Sequence, residues 1–145
     1  NKAPSVSSNN SGDFLVAWED WRNGNPDIFA QRFAGDGSPV DSNFRVNDDV
    51  GVNSQKSVAV SIDEAGNFVI AWEDWRNGDP DIYMQRYSPD GSRIGSNFRV
   101  TINSVNEQLE PAISFWNGRI YNTWTDNDNA FATPDIWANV LYWFR

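Results

Sequence analysis

Short apolar runs separated by turn residues punctuate this chain from end to end. The runs FLVAW at 14–18 and FVIAW at 68–72 are apolar at every position. In an extended strand Phe14, Val16 and Trp18 point to one face, and Leu15 and Ala17 to the other. A sheet with one wet face alternates apolar and polar residues, so a strand apolar on both faces must be covered on both sides. Asn23-Gly24 and Asp36-Gly37, with their later counterparts, supply residues that tolerate positive φ between such runs, a strong hairpin signal. The pattern predicts four strands per unit. The first covers 5–7, 58–62 and 112–115; the second 14–19, 68–73 and 119–125; the third 28–33, 82–87 and 136–142. The fourth covers 43–46 and 97–100, with no third copy.

Those units are copies of one another. Lys2 to Val46 pairs with Lys56 to Val100 at a constant offset of 54, with 26 of 45 pairs identical. AWEDWRNG, PDI, QR, DGS and SNFRV all return. A third copy is degraded: Trp124 and Asp126 match Trp72 and Asp74, and PDI recurs at 134–136, but its turn is longer. The organisation expected is repeat 1 at about 2–55, repeat 2 at about 56–109 and a partial repeat 3 at about 110–145. A sandwich does not need near-identical units every 54 residues, and solenoids usually repeat at shorter periods. The fold expected is therefore all-β: four-stranded antiparallel blades of a β-propeller, partial or completed by oligomerisation.

Composition narrows the function classes. The net charge is −9, from 11 basic against 20 acidic residues. No basic stripe exists for nucleic acid or an anionic membrane surface, and no apolar run has the roughly 20 residues of a membrane helix. There is no Cys and no His, which removes disulfides, thiolate chemistry, Ser-His-Asp triads and the usual zinc sites. The start at Asn1, with neither Met nor a leader, fits a processed product or an excised fragment.

The run FVIAWEDWRNGDPDIYMQR resembles the TolB-like propeller repeat, through Asp20, Arg22, Gly24, Asp27 and Ile28 and again Asp74, Arg76, Gly78, Asp81, Ile82 and Tyr83. The wider pattern, FRVN followed by Q, GNFV, W and DIYMQR, also resembles repeats arrayed in large secreted bacterial surface proteins. The resemblance covers nearly the whole chain and departs in the third copy, where Asn127 and Asp128 replace Trp and Arg. It implies a propeller and a secreted, periplasmic or cell-surface location, and it is weak for function.

Three constellations carry candidate chemistry. Asp20, Asn23 and Asp27 surround one hairpin, repeated as Asp74, Asn77 and Asp81, with Asp126, Asp128 and Asp135 in the third copy. Carboxylates with turn carbonyls suit Ca²⁺, the one cofactor considered; the alternative is an Asx-type turn held by Arg22. Trp21 and Trp75, with Arg22 and Arg76, stand at the hairpin mouth and make candidate ligand-binding residues, whereas Trp18 and Trp72 read as core. The alternative for the rim pair is cation–π packing on Arg22 and Arg76 or on the next blade. Gln31-Arg32 and Gln85-Arg86 read as interblade hydrogen-bonding pairs. Acids that recur in every unit look structural, and the Ser-x-Asp-x-Gly-x-x-Trp box of sialidases is missing. The expectation is therefore an extracellular or cell-surface binding or scaffold module without catalytic residues. Its partners are neighbouring blades of a longer chain, or copies of itself, with a protein or glycan on the rim. A lectin-like propeller using the rim Trp residues, and a fragment of a propeller glycoside hydrolase, are the alternatives.

Overall fold

A computed structural model describes residues 1–102, 106–127 and 134–143. Among these residues eleven strands form three antiparallel meanders. The first holds β1 (Lys2–Ser8), β2 (Phe14–Asp20), β3 (Asp27–Phe33) and β4 (Pro39–Arg45), in that order across the sheet. The second holds β5 (Gln55–Ile62), β6 (Phe68–Asp74), β7 (Asp81–Tyr87) and β8 (Arg93–Arg99). The third holds β9 (Glu107–Trp116), β10 (Arg119–Asn127) and β11 (Asp135–Tyr142). No helix among the described residues is long and apolar enough to cross a membrane.

The sheets pack face to face as propeller blades. Leu15, Ala17, Ile28 and Ala30 of the first blade bury against Phe68, Ile70, Trp72 and Tyr87 of the second. The other face of the second blade, with Val69, Ala71, Ile82 and Met84, buries against Phe115, Ile120 and Trp124 of the third. The second blade is thus sealed on both sides, and every residue of β6 is buried. Phe14, Val16 and Trp18 lie on the first blade's other face, which no described residue covers, and all three are half-buried. Trp18 is therefore not the core residue that the sequence suggests; only its repeat partner Trp72 is fully enclosed, at 0 % exposure.

The first strands of successive blades converge. β1 packs on β5 and β5 on β9, which makes them the innermost strands, next to the ring axis. Serine hydroxyls tie them together. Val60 N–H donates to Ser5 Oγ (3.3 Å), Ile62 N–H to Ser7 Oγ (3.2 Å) and Phe115 N–H to Ser61 Oγ (2.8 Å). Each inner strand carries an irregularity at the same repeat position, and there a non-glycine residue sits at positive φ: Ala3 at 48°, Ser57 at 52° and Glu110 at 54°.

The outer strands begin four residues earlier than the apolar pattern indicates, because each opens with a bulge at Asp41 (φ 59°) or Gly95 (φ 72°). Gln31 holds the first bulge by donating from Nε2 to the carbonyls of Arg32, Val40 and Asp41 at 2.9–3.2 Å. Gln85 does the same for Arg86, Ile94 and Gly95. The expectation of interblade bonding is corrected for these glutamines, whose amide donors serve their own blade. Arg32 does cross between blades, donating to the Pro89 carbonyl at 2.7 Å. Arg86 instead lies over the Phe98 and Trp143 rings.

Candidate functional site

The β2–β3 and β6–β7 hairpins share a face of the molecule with the starts of the inner strands, since Lys2 pairs with Glu19 and Gln55 with Asp74. Asp20 closes β2, and its carboxylate is saturated. Oδ1 accepts from Arg22 N and Nε (2.9 Å each), and Oδ2 from Arg22 Nη2 (2.6 Å) and Trp18 Nε1 (3.1 Å). Asp74 is bound the same way by Arg76 and Trp72. An ionised carboxylate offers about four acceptor sites, so neither has one left for a cation. The Arg22 hydrogen bond, against the opposing effect of burial, holds the Asp20 carboxyl well below the usual carboxylate range.

Asp27 accepts from Asn23 Nδ2 (2.7 Å) and Asn47 Nδ2 (2.8 Å), with Arg45 at 3.8 Å. Asp81 accepts from Asn77 Nδ2 (3.2 Å), Thr101 Oγ1 (3.2 Å) and Arg99 (3.5 Å). In the third blade Asp126 is buried and pairs across the ladder with exposed Asp135, while Asp128 lies outside the described residues. No three acidic side chains among the described residues converge in a geometry that would hold a metal ion. Of the acids suggested for Ca²⁺, Asp20, Asp27, Asp74 and Asp81 each accept hydrogen bonds from neighbouring side chains.

The rim residues separate into two layers. Arg22 stacks over Phe29 (4.0 Å) and Arg76 over Tyr83 (4.3 Å), each on its own hairpin, and Arg76 also pairs with Asp48 at 3.0 Å. Trp21 is 45 % exposed and Trp75 half-exposed. Each has a lysine ammonium over its ring at 5.6 Å, Lys2 on Trp21 and Lys56 on Trp75. Trp75 borders a cleft of about 310 Å³ formed with Val52, Asn53, Ser54, Lys56 and Gly78. Its indole Nε1 is shielded from solvent and has no hydrogen-bond partner.

Sequence reasoning missed a carboxylate on the inner strands. Glu19 Oε1 accepts the N–H of Ser57 (3.0 Å), and Glu73 Oε1 that of Glu110 (2.8 Å). Each buried glutamate of one blade thus grips the strained residue of the next. The third blade rearranges this pair. Thr125 stands where Glu19 and Glu73 stand, and the strained position carries Glu110 in place of Ala3 or Ser57. Glu110 is exposed, and its Oε2 accepts from Thr125 Oγ1 at 3.3 Å. Non-glycine residues at positive φ cost about 1–3 kcal/mol and concentrate at functional sites. The available signal was the departure of the third copy at both positions together.

No protein-family model and no curated protein matches the chain. Solved structures do. An endo-arabinase from Bacteroides thetaiotaomicron superposes with a TM-score of 0.57 at 16 % identity, over 97 % of this chain and 55 % of that one. A GH43 endo-arabinanase from Bacillus licheniformis gives 0.51 at 14 % identity, over 98 % and 53 %. A native Bacillus subtilis arabinanase gives 0.50 at 14 %, over 97 % and 53 %. The chain spans about half the length of these structures. The likeness supports the propeller, and it lends nothing to membership among TolB-like or surface-protein repeats. It also overturns the expectation of a non-catalytic binding or scaffold module, because the matched propellers are enzymes. A missing sialidase box and missing histidines do not set this fold apart from glycoside hydrolases, and the chain is similar in fold to propellers that are arabinan-cleaving enzymes.

Proposed function

We propose that the chain is part of a propeller glycoside hydrolase acting on an arabinan-type polysaccharide, with Glu110 as one of its working carboxylates. The observation that carries this reading is the likeness to endo-arabinanases along 97 % of the chain. Glycosidic bond cleavage uses two carboxyl groups, one of which protonates the departing oxygen. Glu110 has the position for such work: it is exposed, next to the axis, and held by Thr125 on one oxygen and by Glu73 through its backbone. Glu107 lies three residues away on the same strand, held by Asn127 Nδ2 at 3.1 Å, and the second carboxyl is either this group or one on blades that complete the ring. Trp21 and Trp75 offer flat apolar rings to sugar faces on the side where the inner strands begin. A polymeric substrate places the protein outside the cytoplasm, as a secreted, periplasmic or cell-surface component.

The test is release of reducing ends from debranched arabinan by the protein, beside an E110Q variant with unchanged circular dichroism. Loss of a positioned acid or base lowers the rate about 10²–10⁴-fold. Full activity in E110Q removes the assignment of Glu110, and no release from arabinan by the parent removes the hydrolase reading.

A further inference from the structure

Lys2 and Lys56 are the only lysines in a chain of net charge −9. Among the described residues the carboxylates' ion-pair partners are all arginines: Arg22, Arg32, Arg45, Arg76 and Arg99. The two lysines stand instead at equivalent repeat positions, each over a rim tryptophan at 5.6 Å. That is near the outer limit, about 6 Å, at which a cation feels a ring quadrupole. Among the described residues neither ammonium group has a carboxylate within ion-pair distance, and each lies over a partly exposed indole, which makes a repeated recognition unit in so acidic a protein. At Trp75 the unit also has a cleft of about 310 Å³, with Asn53 and Ser54 on its wall.

We infer that the Trp21–Lys2 and Trp75–Lys56 pairs bind carboxylated sugar units of an acidic polysaccharide. The indole offers an apolar plane to the C–H face of a pyranose, and the neighbouring ammonium offers a counter-charge to its carboxylate. Two such units on consecutive blades engage one polymer at two points, which raises its effective concentration at the second. This deepens the polysaccharide reading above and rests on it for the class of ligand: the polysaccharide carries uronic acid units in addition to the arabinan-type segment that is cut.

The experiment is a tryptophan fluorescence titration of the protein with tetragalacturonate and with its fully methyl-esterified form, which keeps the ring and lacks the charge. The acid oligomer is expected to quench saturably and to bind about tenfold tighter than the ester, the size that two surface ion pairs supply together. Added salt should weaken the acid alone. K2Q/K56Q should lose the preference for the acid with an unchanged melting curve, K2R/K56R should keep it, and Trp21→Leu with Trp75→Leu should lose the quench. Equal binding of acid and ester, no quench by either, or an unaltered preference in K2Q/K56Q overturns the inference. Because the readout is binding, the two readings fail separately. Uptake of the acid oligomer without any hydrolysis removes the hydrolase and keeps the subsites, whereas arabinan hydrolysis without discrimination does the reverse.

Discussion

Trp18 and Trp72 occupy the same place in successive repeats and bond the same aspartate, yet their surroundings differ. Trp72 is walled in by the first blade, and its Nε1 donates to Asp74 at 2.8 Å. Trp18 makes the same bond at 3.1 Å on a face that no described residue covers. Removing Trp72 opens a cavity between two blades; removing Trp18 takes away only half-buried surface. Trp72→Ala should therefore cost about 3–5 kcal/mol and Trp18→Ala about 1–2 kcal/mol, as read from urea unfolding. Equal losses would mean that both faces of the first blade are covered in solution. The sequence placed both indoles on the correct strand face and left the Asp–Arg turn open between a Ca²⁺ site and an Asx-type turn. Which copy would be enclosed was not legible, because burial depends on the neighbouring blade and not on the residue. Glu110 escaped notice for a related reason. Nothing in KAP, KSV or LEP announces a left-handed backbone, and the copies match poorly there.

At the scale of the strand, apolar periodicity placed β2 and β3 to within one residue, because both faces of those strands are packed and the signal is dense. β1 and β4 were harder to read. Their sequences mix Lys, Pro, Ser and Asp with few apolar positions, and β4 hides a bulge whose two extra residues break the alternation. What holds that bulge is a glutamine amide with three carbonyl partners, so the strand depends on a side chain from its neighbour. Gln85→Leu, at a position fully buried in the second blade, leaves the Ile94 and Gly95 carbonyls short of a donor and Asn97 Nδ2 without its 2.7 Å acceptor. The expected cost is about 2–3 kcal/mol, since unpaired buried polar groups cost about 1–3 kcal/mol each before relaxation. Hydrogen exchange should show it as lost protection confined to β7 and β8. A uniform loss through all three blades would contradict a local role.

Across the whole molecule, two blade faces stand open among the described residues. On the third blade Ile136 (75 % exposed), Val140 and Tyr142 lie in solvent along β11. On the first, Val6 is exposed beside half-buried Phe14 and Val16. The repeat itself shows what such surfaces do, since the equivalent positions Ile82 and Phe68 are buried against neighbouring blades. Open apolar faces and bare strand edges drive association. The isolated chain should therefore sediment as a concentration-dependent mixture at micromolar concentration, and Ile136→Glu with Val140→Glu should shift it towards monomer. A parent chain that stays monomeric throughout would show that these faces are closed by the chain itself.

The grip of Glu19 on Ser57, and of Glu73 on Glu110, gives the molecule the character of a linear array. Among the described residues the main contacts join each blade to the next, so stability is a sum of blade terms and junction terms along a line. Among the described residues the second blade makes two junctions, and the first and third make one apiece with it. Heat or denaturant then frays such an array from its ends towards its middle, and one transition midpoint blends several steps that the spectroscopist must resolve separately.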